Sequence, residues 1–425
     1  MRWLALLLVM AAAADAQPRF QRFTQRTPQG RNTRGLLSDS YAFLEFAPAD
    51  GAGMPAACSS TAPTGAKGET LTFARGSGAT CTKTATGGLV SSGIANGDLV
   101  ELSSNVARVE YDSGGVLGLL VEGSGQNVLT RFIDYANASW SDVGTPTLTG
   151  SQTSPFSGTY ATSAVLFSDN DGAAFEGRSI PVAVSAGSAY IAHCYVKAGT
   201  ATSARIALDG TAATITGLSS STWSIVEAAD ASASGASITL EVDVGSTTAV
   251  TGTVVFGGCD VKLGTYRTSI VPTVAAAVTR SAETATLAVA VLQLPISVAW
   301  SSAQTLPQGG ASNDRIGVMT RALAGSGDFV VSYFQAQFRS DAVGSAAGSA
   351  LNGGTSVAGD RWATSHDTGG VLTSYKNGTQ TATNTTAKAM NAATIVGIGA
   401  SPAGLSHLDG VVSRVCVDPS PTRCR

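Results

Sequence analysis

The sequence predicts an all-β protein, and three observations support this fold class. Charged residues make up only 13% of the 425 residues, which is about half the share usual in soluble domains. No long amphipathic run with the spacing of a surface helix follows residue 20. Runs of β-forming residues, about five to nine long, alternate instead with glycine-rich turns. Since hydrophobic residues make up 44% of the chain, packed cores between such strands are expected.

The first 16 residues have the pattern of a signal peptide. One basic residue precedes an apolar run at 3–14, and an Ala-Asp-Ala cleavage pattern ends at Ala16. We therefore expect export and cleavage after Ala16, with an uncleaved N-terminal anchor as the alternative. No later stretch reaches about 18 uninterrupted apolar residues, so we expect no membrane span in the mature chain.

Two arrays of short strands organise the rest of the chain. In the first array, residues 204–210 and 238–245 alternate strictly between apolar and polar, which is typical of strands with one buried and one wet face. In the second array, Asn377 and Gly378 give the strongest short hairpin signal. We predict a signal peptide at 1–16, a basic linker at 17–38, an irregular N-terminal β region at 39–126, a jelly roll at 127–270, a linker at 271–286, a second sandwich at 287–418 and a tail at 419–425.

Six cysteines are expected to form disulfides, because an even number in an exported chain favours pairing. Pairing between sequence neighbours would join 58 with 81, 194 with 259 and 416 with 424, but six cysteines allow 15 arrangements. Zinc is not expected, because the chain has no C-x-x-C and its three histidines are scattered. The disulfide candidates are Cys58, Cys81, Cys194, Cys259, Cys416 and Cys424.

Four motifs follow one another along the chain: LTFARGSGATCTK, then GLLVEGSGQNVLT, then AYIAHCYVKAG, then LGTYRTSIVPT with a later Thr-Arg. In this order they resemble a modular family common among phage tail and tail-fibre proteins and their bacterial relatives. The resemblance covers residues 69–290 by motif and 291–418 by pattern. It implies a carbohydrate-binding-module-like jelly roll at 127–270 and a concanavalin/laminin-G-like sandwich at 287–418. The matching residues are Thr72, Phe73, Arg75, Ala79, Thr80, Gly118, Leu119, Leu120, Glu122, Asn127, Gly264, Thr268, Ser269, Ile270, Pro272, Thr273, Thr279 and Arg280.

The sequence departs from the family pattern at several positions. Cys81 stands where an aromatic residue is usual, Lys262 where an acid is common, and Gly123 and Gln126 where the family has Pro and Arg. A signal peptide is also unexpected for a virion part, since phage tails assemble in the cytoplasm. These departures favour a secreted or surface-displayed bacterial protein over a virion tail.

The resemblance implies a non-catalytic adhesin that binds a glycan or a cell-surface polysaccharide, and a homo-oligomer is compatible with it. A structural virion or tail component that binds other protein copies is the first alternative, and a glycoside hydrolase is the second. The formal charge of −3 gives no reason to expect nucleic-acid binding.

Glycan-binding residues cannot be assigned from the sequence, although aromatic rings are the natural candidates. Tryptophan is highly buried on average, so a core position is the favoured interpretation of each tryptophan in the mature chain. Two tyrosines on predicted strands are equally ambiguous. The aromatic candidates are Trp140, Trp223, Trp300, Trp362, Tyr195 and Tyr333.

No catalytic residue is predicted. Glu241 and Asp243 begin a laminarinase-like pattern, but Gly245 stands where its closing Glu belongs. We therefore interpret them as solvent-facing acids on a half-exposed strand. Ser365-His366-Asp367 has the letters of a catalytic triad, but neighbouring strand residues point to opposite faces.

Two further features concern metal binding and the joint between domains. Asp169, Asn170 and Asp171 cluster oxygen ligands before a glycine and could seat a structural Ca²⁺, although a polar turn is the favoured interpretation. No other cofactor is expected. Because the first and last strands of a jelly roll pair, Glu122 and Arg280 could form an ion pair at the domain joint.

Overall fold

The all-β prediction is confirmed by a computed structural model. In its described part the backbone consists of strands and their connections, with one short 3-10 turn at Gly158–Tyr160. No helix in that part is both long and apolar enough to cross a membrane. The predicted signal peptide, basic linker and tail lie outside the described residues, as do Cys58 and Cys424. The structure describes residues 42–45, 71–82, 94–112, 115–292, 296–302, 315–321, 328–334, 337–343, 351–352, 361–368, 371–384, 393–398 and 410–418.

The described part of the N-terminal region contains seven short strands. These strands are β1 (Ala42–Glu45), β2 (Leu71–Ala74), β3 (Ala79–Thr82), β4 (Leu99–Leu102), β5 (Arg108–Asp112), β6 (Gly115–Val121) and β7 (Gly125–Asn127).

Ten strands then build a sandwich of two five-stranded antiparallel sheets. They are β8 (Ser141–Val143), β9 (Thr147–Gln152), β10 (Ala164–Asp169), β11 (Gly177–Ala183), β12 (Tyr190–Ala198), β13 (Ser203–Leu208), β14 (Thr211–Thr216), β15 (Ser224–Asp230), β16 (Ser237–Val244) and β17 (Gly252–Leu263). One sheet has the order β15-β12-β17-β10-β9 and the other has the order β14-β13-β16-β11-β8. The alternation read from the sequence sets the layers, because Ile238, Leu240 and Val242 of β16 are buried in the core between the sheets while Thr239 is exposed.

The outer sides of these two sheets differ. On the β12 sheet, Ile191, His193 and Tyr195 are all buried. Phe156 packs so closely there that a Cβ at Gly258 of β17 would lie 3.1 Å from its ring. We call the β12 sheet the covered sheet. We call the β16 sheet the open sheet, because Pro181 on β11 and Thr239 on β16, which are direct partners, are both exposed on its outer side.

Apart from β18 (Val278–Arg280), which pairs with β7, the remaining strands form two further antiparallel sheets together with strands from the N-terminal region. They are β19 (Thr284–Leu292), β20 (Ile296–Ser302), β21 (Arg315–Arg321), β22 (Asp328–Phe334), β23 (Gln337–Val343), β24 (Leu351–Asn352), β25 (Arg361–His366), β26 (Leu372–Lys376), β27 (Thr379–Asn384), β28 (Ala393–Ile398) and β29 (Gly410–Asp418). One sheet has the order β27-β26-β25-β20-β29-β6-β5, with β1 also paired to β29, and the other has the order β2-β19-β28-β21-β22-β23-β24. The N-terminal strands β1, β2, β5 and β6 therefore complete sheets whose other members follow the first sandwich in the chain, whereas β3 pairs with β4.

Buried charges connect these parts at the joint. Arg108 Nη2 lies 2.6 Å from both Glu122 Oε2 and Glu283 Oε2. Arg75 Nη1 lies 2.8 Å from Glu283 Oε1, and Arg280 Nη1 lies 3.2 Å from Glu122 Oε2. All five side chains are at most 5% exposed. We call them the joint network, and it contains the ion pair between Glu122 and Arg280 that the sequence suggested.

The hydroxyl-rich motif LGTYRTSIVPT, which begins at the last residue of β17, packs against the joint network. The Thr80 hydroxyl donates to the Ile270 carbonyl, and the Thr273 hydroxyl donates to the Leu129 carbonyl. The Ser269 amide and hydroxyl both donate to the Glu122 carboxylate. These hydroxyls satisfy buried acceptors at the domain joint.

Candidate functional site

The outer face of the open sheet carries charged and small residues side by side. Gly177, Asp243, Arg205 and Thr214 are successive cross-strand partners on β11, β16, β13 and β14. Directly opposed residues project from the same side of a sheet. Glu241, two positions before Asp243, shares this face because side chains alternate along a strand.

Arg205 is at the centre of this group. Its Nη1 donates to both Glu241 Oε1 and Asp243 Oδ2, and its guanidinium lies 4.4 Å from the centroid of the Phe175 ring. The side chains of Arg205 and Glu241 are 15% and 27% exposed, whereas that of Asp243 is 0% exposed. We call these four residues the charged patch, in which Asp243 anchors Arg205 while Arg205, Glu241 and Phe175 reach solvent.

The Asp243 carboxyl is buried and has an unusually high pKa. Burial, together with the nearby Glu241 charge, raises the pKa of Asp243 from 3.8 to about 8, although Arg205 acts against the shift. Its Oδ1 is buried without a hydrogen-bond partner. A Cβ at Gly177 would lie 2.5 Å from Oδ1 and 1.9 Å from the Val242 carbonyl, so only glycine fits beside this carboxyl. The interpretation of Asp243 as a solvent-facing acid is therefore wrong, because its side chain is fully buried beside Arg205.

The patch can engage a ligand that carries both donors and acceptors. Glu241 offers carboxylate oxygens, Arg205 offers N–H groups, and Phe175 offers a partly exposed apolar ring. Exposed threonines at 214 and 239 lie on the same face. Arg205 was not predicted as a site residue, although it occupies a polar position of the alternating run at 204–210. Phe175 was not predicted because nothing in the local sequence places its ring against Arg205.

We expect Asp243→Asn to change how stability depends on pH. The folded-state pKa of Asp243 lies above its unfolded value, so its contribution to stability is fully present below about pH 4 and is lost as pH rises towards 8. Asparagine imitates the protonated acid at every pH. The free energy of unfolding of the variant, relative to wild type, should therefore increase from pH 5 to pH 8 in urea titrations.

Asp134→Asn is the control for that experiment, since the Asp134 side chain is 52% exposed. Its difference from wild type should stay constant over the same pH range. A constant difference for Asp243→Asn as well would contradict the raised pKa of the buried Asp243 carboxyl.

A second group of carboxylates lies where the sequence suggested a calcium site. Asp169 and Asp171 each bring a carboxylate oxygen within 4.8 Å of one from Glu176. Asn170 contributes its backbone N–H to Glu176 Oε2, at 3.2 Å. Glu176 was missed because it follows the cluster by five residues, and only the return of the chain from β10 to β11 brings it back. We call Asp169, Asp171 and Glu176 the acidic loop cluster.

The described tryptophans occupy core positions, as expected. Trp140, Trp223 and Trp362 are at most 2% exposed, and Tyr195 is 0% exposed. The side chains of Trp300 and Tyr333 lie outside the described residues. None of the described rings singled out in the sequence is therefore available to stack on a ligand, and Phe175 is the aromatic residue found at the charged patch.

The structure describes the side chains of two of the three residues in the Ser365-His366-Asp367 sequence. Ser365 lies on β25 opposite Ser297 and Thr373, and it is 5% exposed. Asp367 Oδ1 accepts a hydrogen bond from the Val371 amide at 2.9 Å, which closes the turn after the strand. The His366 side chain lies outside the described residues.

Cys194 and Cys259 form a disulfide across β12 and β17, where they are direct partners. This is one of the pairings that sequence neighbours would give. Cys81 and Cys416 are also disulfide-bonded, and the remaining two candidates lie outside the described residues.

Comparison with known proteins gives matches to structures alone. No family model and no curated protein matches this chain. The CBM40 of Ruminococcus gnavus IT-sialidase bound to α2,3 sialyllactose matches at 12% identity, over 31% of this chain and 78% of its own, with a TM-score of 0.24. The CBM22-1 xylan-binding domain of Paenibacillus barcinonensis Xyn10C matches at 11% identity, over 34% of this chain and 99% of its own, also with a TM-score of 0.24.

Mouse laminin α1 chain domains LG4-5 match at 10% identity, over 70% of this chain and 88% of their own, with a TM-score of 0.21. Likeness at this level carries no argument, so the function has to come from the geometry of the charged patch.

Proposed function

We propose that this protein is a non-catalytic glycan-binding protein whose ligand lies on the open sheet, over the charged patch. The observation that carries this proposal is the combination of Arg205, Glu241 and Phe175 on the outer face of the open sheet, which the described residues leave accessible. Sugars present hydroxyl groups that donate and accept hydrogen bonds, and apolar C–H faces that pack on aromatic rings. The patch offers a partner for each.

Desolvated and charge-assisted hydrogen bonds give such a patch its affinity. Hydrogen bonds to charged groups contribute about 1.5–3 kcal/mol each. Asp243 fixes the Arg205 guanidinium before the ligand arrives, so less side-chain entropy is lost on binding. The small residues Gly177 and Ala207 lie directly opposite Asp243 and Glu241 in the sheet, so no large side chain stands there, as a surface for an extended chain of sugars requires.

Catalysis is the less favoured use of the same acids. A carboxyl with a pKa raised to about 8 beside a second acid is the kind of pair that glycoside hydrolases use. However, Asp243 is fully buried and both acids share one nitrogen of Arg205. A proton donor in that position could not reach a glycosidic oxygen, so we favour binding.

The biological setting we propose is attachment at a cell surface. The sequence pattern of an export signal and the disulfides support a secreted or surface-displayed adhesin, because disulfides persist in oxidising compartments. The motif resemblance supports a tail-fibre-like architecture. A structural tail component remains the alternative, and it would leave the charged patch without a glycan.

A glycan array probed with the full chain tests the proposal. We expect Thr239→Arg, which fills the open face, and Glu241→Gln, which removes a charged acceptor, each to weaken binding at least about tenfold. Thr153→Arg makes the same change at an exposed position next to the covered sheet and should bind like wild type.

Two results would overturn the proposal. The first is that no glycan binds the wild-type chain, or that both open-face variants bind as wild type does. The second is release of sugar from a bound polysaccharide by the wild-type chain, which would replace binding with hydrolysis.

A further inference from the structure

The acidic loop cluster joins the end of β10 to the start of β11. Asp169 is the last residue of β10, and Glu176 immediately precedes β11. The intervening loop turns at Gly172, which has a φ of +62°. The loop therefore returns on itself and brings three carboxylates into one place.

Two of these carboxylates are buried. Asp169 is 2% exposed and Glu176 is 1% exposed, while Asp171 faces solvent. In the described part of the chain, no lysine or arginine forms an ion pair with any of the three. Three acids this close without a cation repel one another.

The hydrogen bonds of the cluster leave one buried oxygen unused. Asp169 Oδ1 accepts the Asp171 and Gly172 amides, each at 3.3 Å. Glu176 Oε1 accepts the Thr145 hydroxyl at 2.8 Å. Asp169 Oδ2, by contrast, is buried and has no hydrogen-bond partner. A buried carboxylate oxygen without a donor is costly unless something positive occupies the space beside it.

The surrounding backbone fixes the cluster in place. Gly144, with a φ of +67°, passes so close that a Cβ there would lie 2.7 Å from the Phe175 carbonyl and 3.1 Å from Glu176 Cγ. The Glu176 carbonyl also accepts the Val244 amide at 3.1 Å. Because Glu176 is held from both sides, its carboxylate is directed towards the loop before any ligand binds.

We propose that Asp169, Asp171 and Glu176 bind a calcium ion. All three ligands are carboxylate oxygens, which hard divalent cations prefer. Calcium fits better than magnesium because it accepts bidentate carboxylates and irregular geometry, whereas magnesium requires near-ideal octahedral coordination. The exposed side of Asp171 leaves room for water to complete the coordination shell.

Calorimetric titration of the full chain, stripped of metal by a chelator and then dialysed, tests the proposal. We expect Ca²⁺ to bind once per chain at this cluster and to raise the thermal midpoint in a concentration-dependent way. Asp171→Asn should weaken this binding at least about tenfold, because the charge of the ligands sets calcium affinity. Asp171 is exposed, so this variant should fold.

Asp169→Asn should abolish binding, and Asp209→Asn is the matched control. Asp209 is another loop acid of the same sandwich, bonded to the Ser234 amide, and its replacement should leave calcium affinity unchanged. The proposal is overturned if Ca²⁺ at millimolar concentration gives no binding heat, or if both cluster variants bind it like wild type. Equal affinity for Mg²⁺ would overturn the assignment to calcium.

Discussion

Glu283→Gln should lower the free energy of unfolding of the full chain by about 3–5 kcal/mol, which is the usual cost of removing one partner from a buried ion pair. Glu283 is the residue on which the joint network depends most. Its Oε1 accepts hydrogen bonds from Arg75 Nη1 and Arg108 Nε, both at 2.8 Å. Its Oε2 accepts the Arg108 Nη2 group at 2.6 Å and the Glu122 amide at 2.8 Å.

The substitution keeps the shape of the side chain and removes its charge. Three buried guanidinium groups, those of Arg75, Arg108 and Arg280, would then be balanced by Glu122 as the one acid left in the joint network. The new amide NH₂ would also face donors where an acceptor is needed, which leaves buried groups unpaired. Burial alone would raise the pKa of Glu122, but Arg280, Arg108 and Lys262 outweigh it and hold that pKa far below its ordinary value. This acid is therefore already fully ionised at neutral pH and cannot gain further charge.

Urea unfolding followed by tryptophan fluorescence measures the effect. The matched control is Glu101→Gln, which makes the same change at an exposed position on β4 and should alter stability by no more than about 0.5 kcal/mol. If Glu283→Gln unfolds within about 1 kcal/mol of wild type, the joint network does not stabilise the fold as the geometry indicates.

The joint network also explains what the family motifs encode. Arg75 belongs to the first motif, Glu122 to the second, and Arg280 follows the last. These residues are far apart in sequence, yet the structure brings all three into one buried cluster. The motifs therefore mark a structural joint, and the sequence could suggest the pairing of Glu122 with Arg280 from the topology of a jelly roll alone.

Other parts of the joint could not be predicted. Arg108 and Glu283 are separated by 175 residues, and no local pattern distinguishes either from a surface charge. The pairing of β2 with β19 and of β6 with β29 likewise depends on which sheet edges remain free once both sandwiches have formed. Strand periodicity shows that a segment is a strand but does not identify its partner.

The candidate sites, like the joint, could be predicted from the sequence only in part. The alternating pattern correctly placed Glu241 and Asp243 on the outer face of β16, but it could not show that Asp243 is covered. Asp243 is buried beside Arg205 from the neighbouring strand, and the Arg205 guanidinium in turn lies against Phe175 from a loop. Similarly, the acids at 169 and 171 were visible as a local cluster, whereas Glu176 joins them only because the chain turns back into β11.

Replacing both Cys194 and Cys259 by alanine should cost about 2–5 kcal/mol of stability, the usual range for a native disulfide. The bond joins the two central strands of the covered sheet and spans 65 residues of sequence. In the chain-entropy account, a cross-link that closes a long loop restricts the unfolded chain and so favours folding. The intervening segment includes β13, β14, β15 and β16, so the bond ties half of the sandwich to its central strand.

Val226→Ala separates the stability lost with the disulfide from the stability lost with buried side-chain atoms. Val226 lies opposite Cys194 on β15 and is 3% exposed, so its truncation removes apolar contacts in the same layer while the disulfide stays intact. Urea unfolding should show a larger loss for the double cysteine variant than for Val226→Ala, and mass spectrometry should confirm that its other disulfides remain. An equal or smaller loss would mean that packing, and not the cross-link, stabilises this sheet. A larger loss would mean that the sandwich depends on an oxidising environment to reach full stability, which is the environment that export would provide.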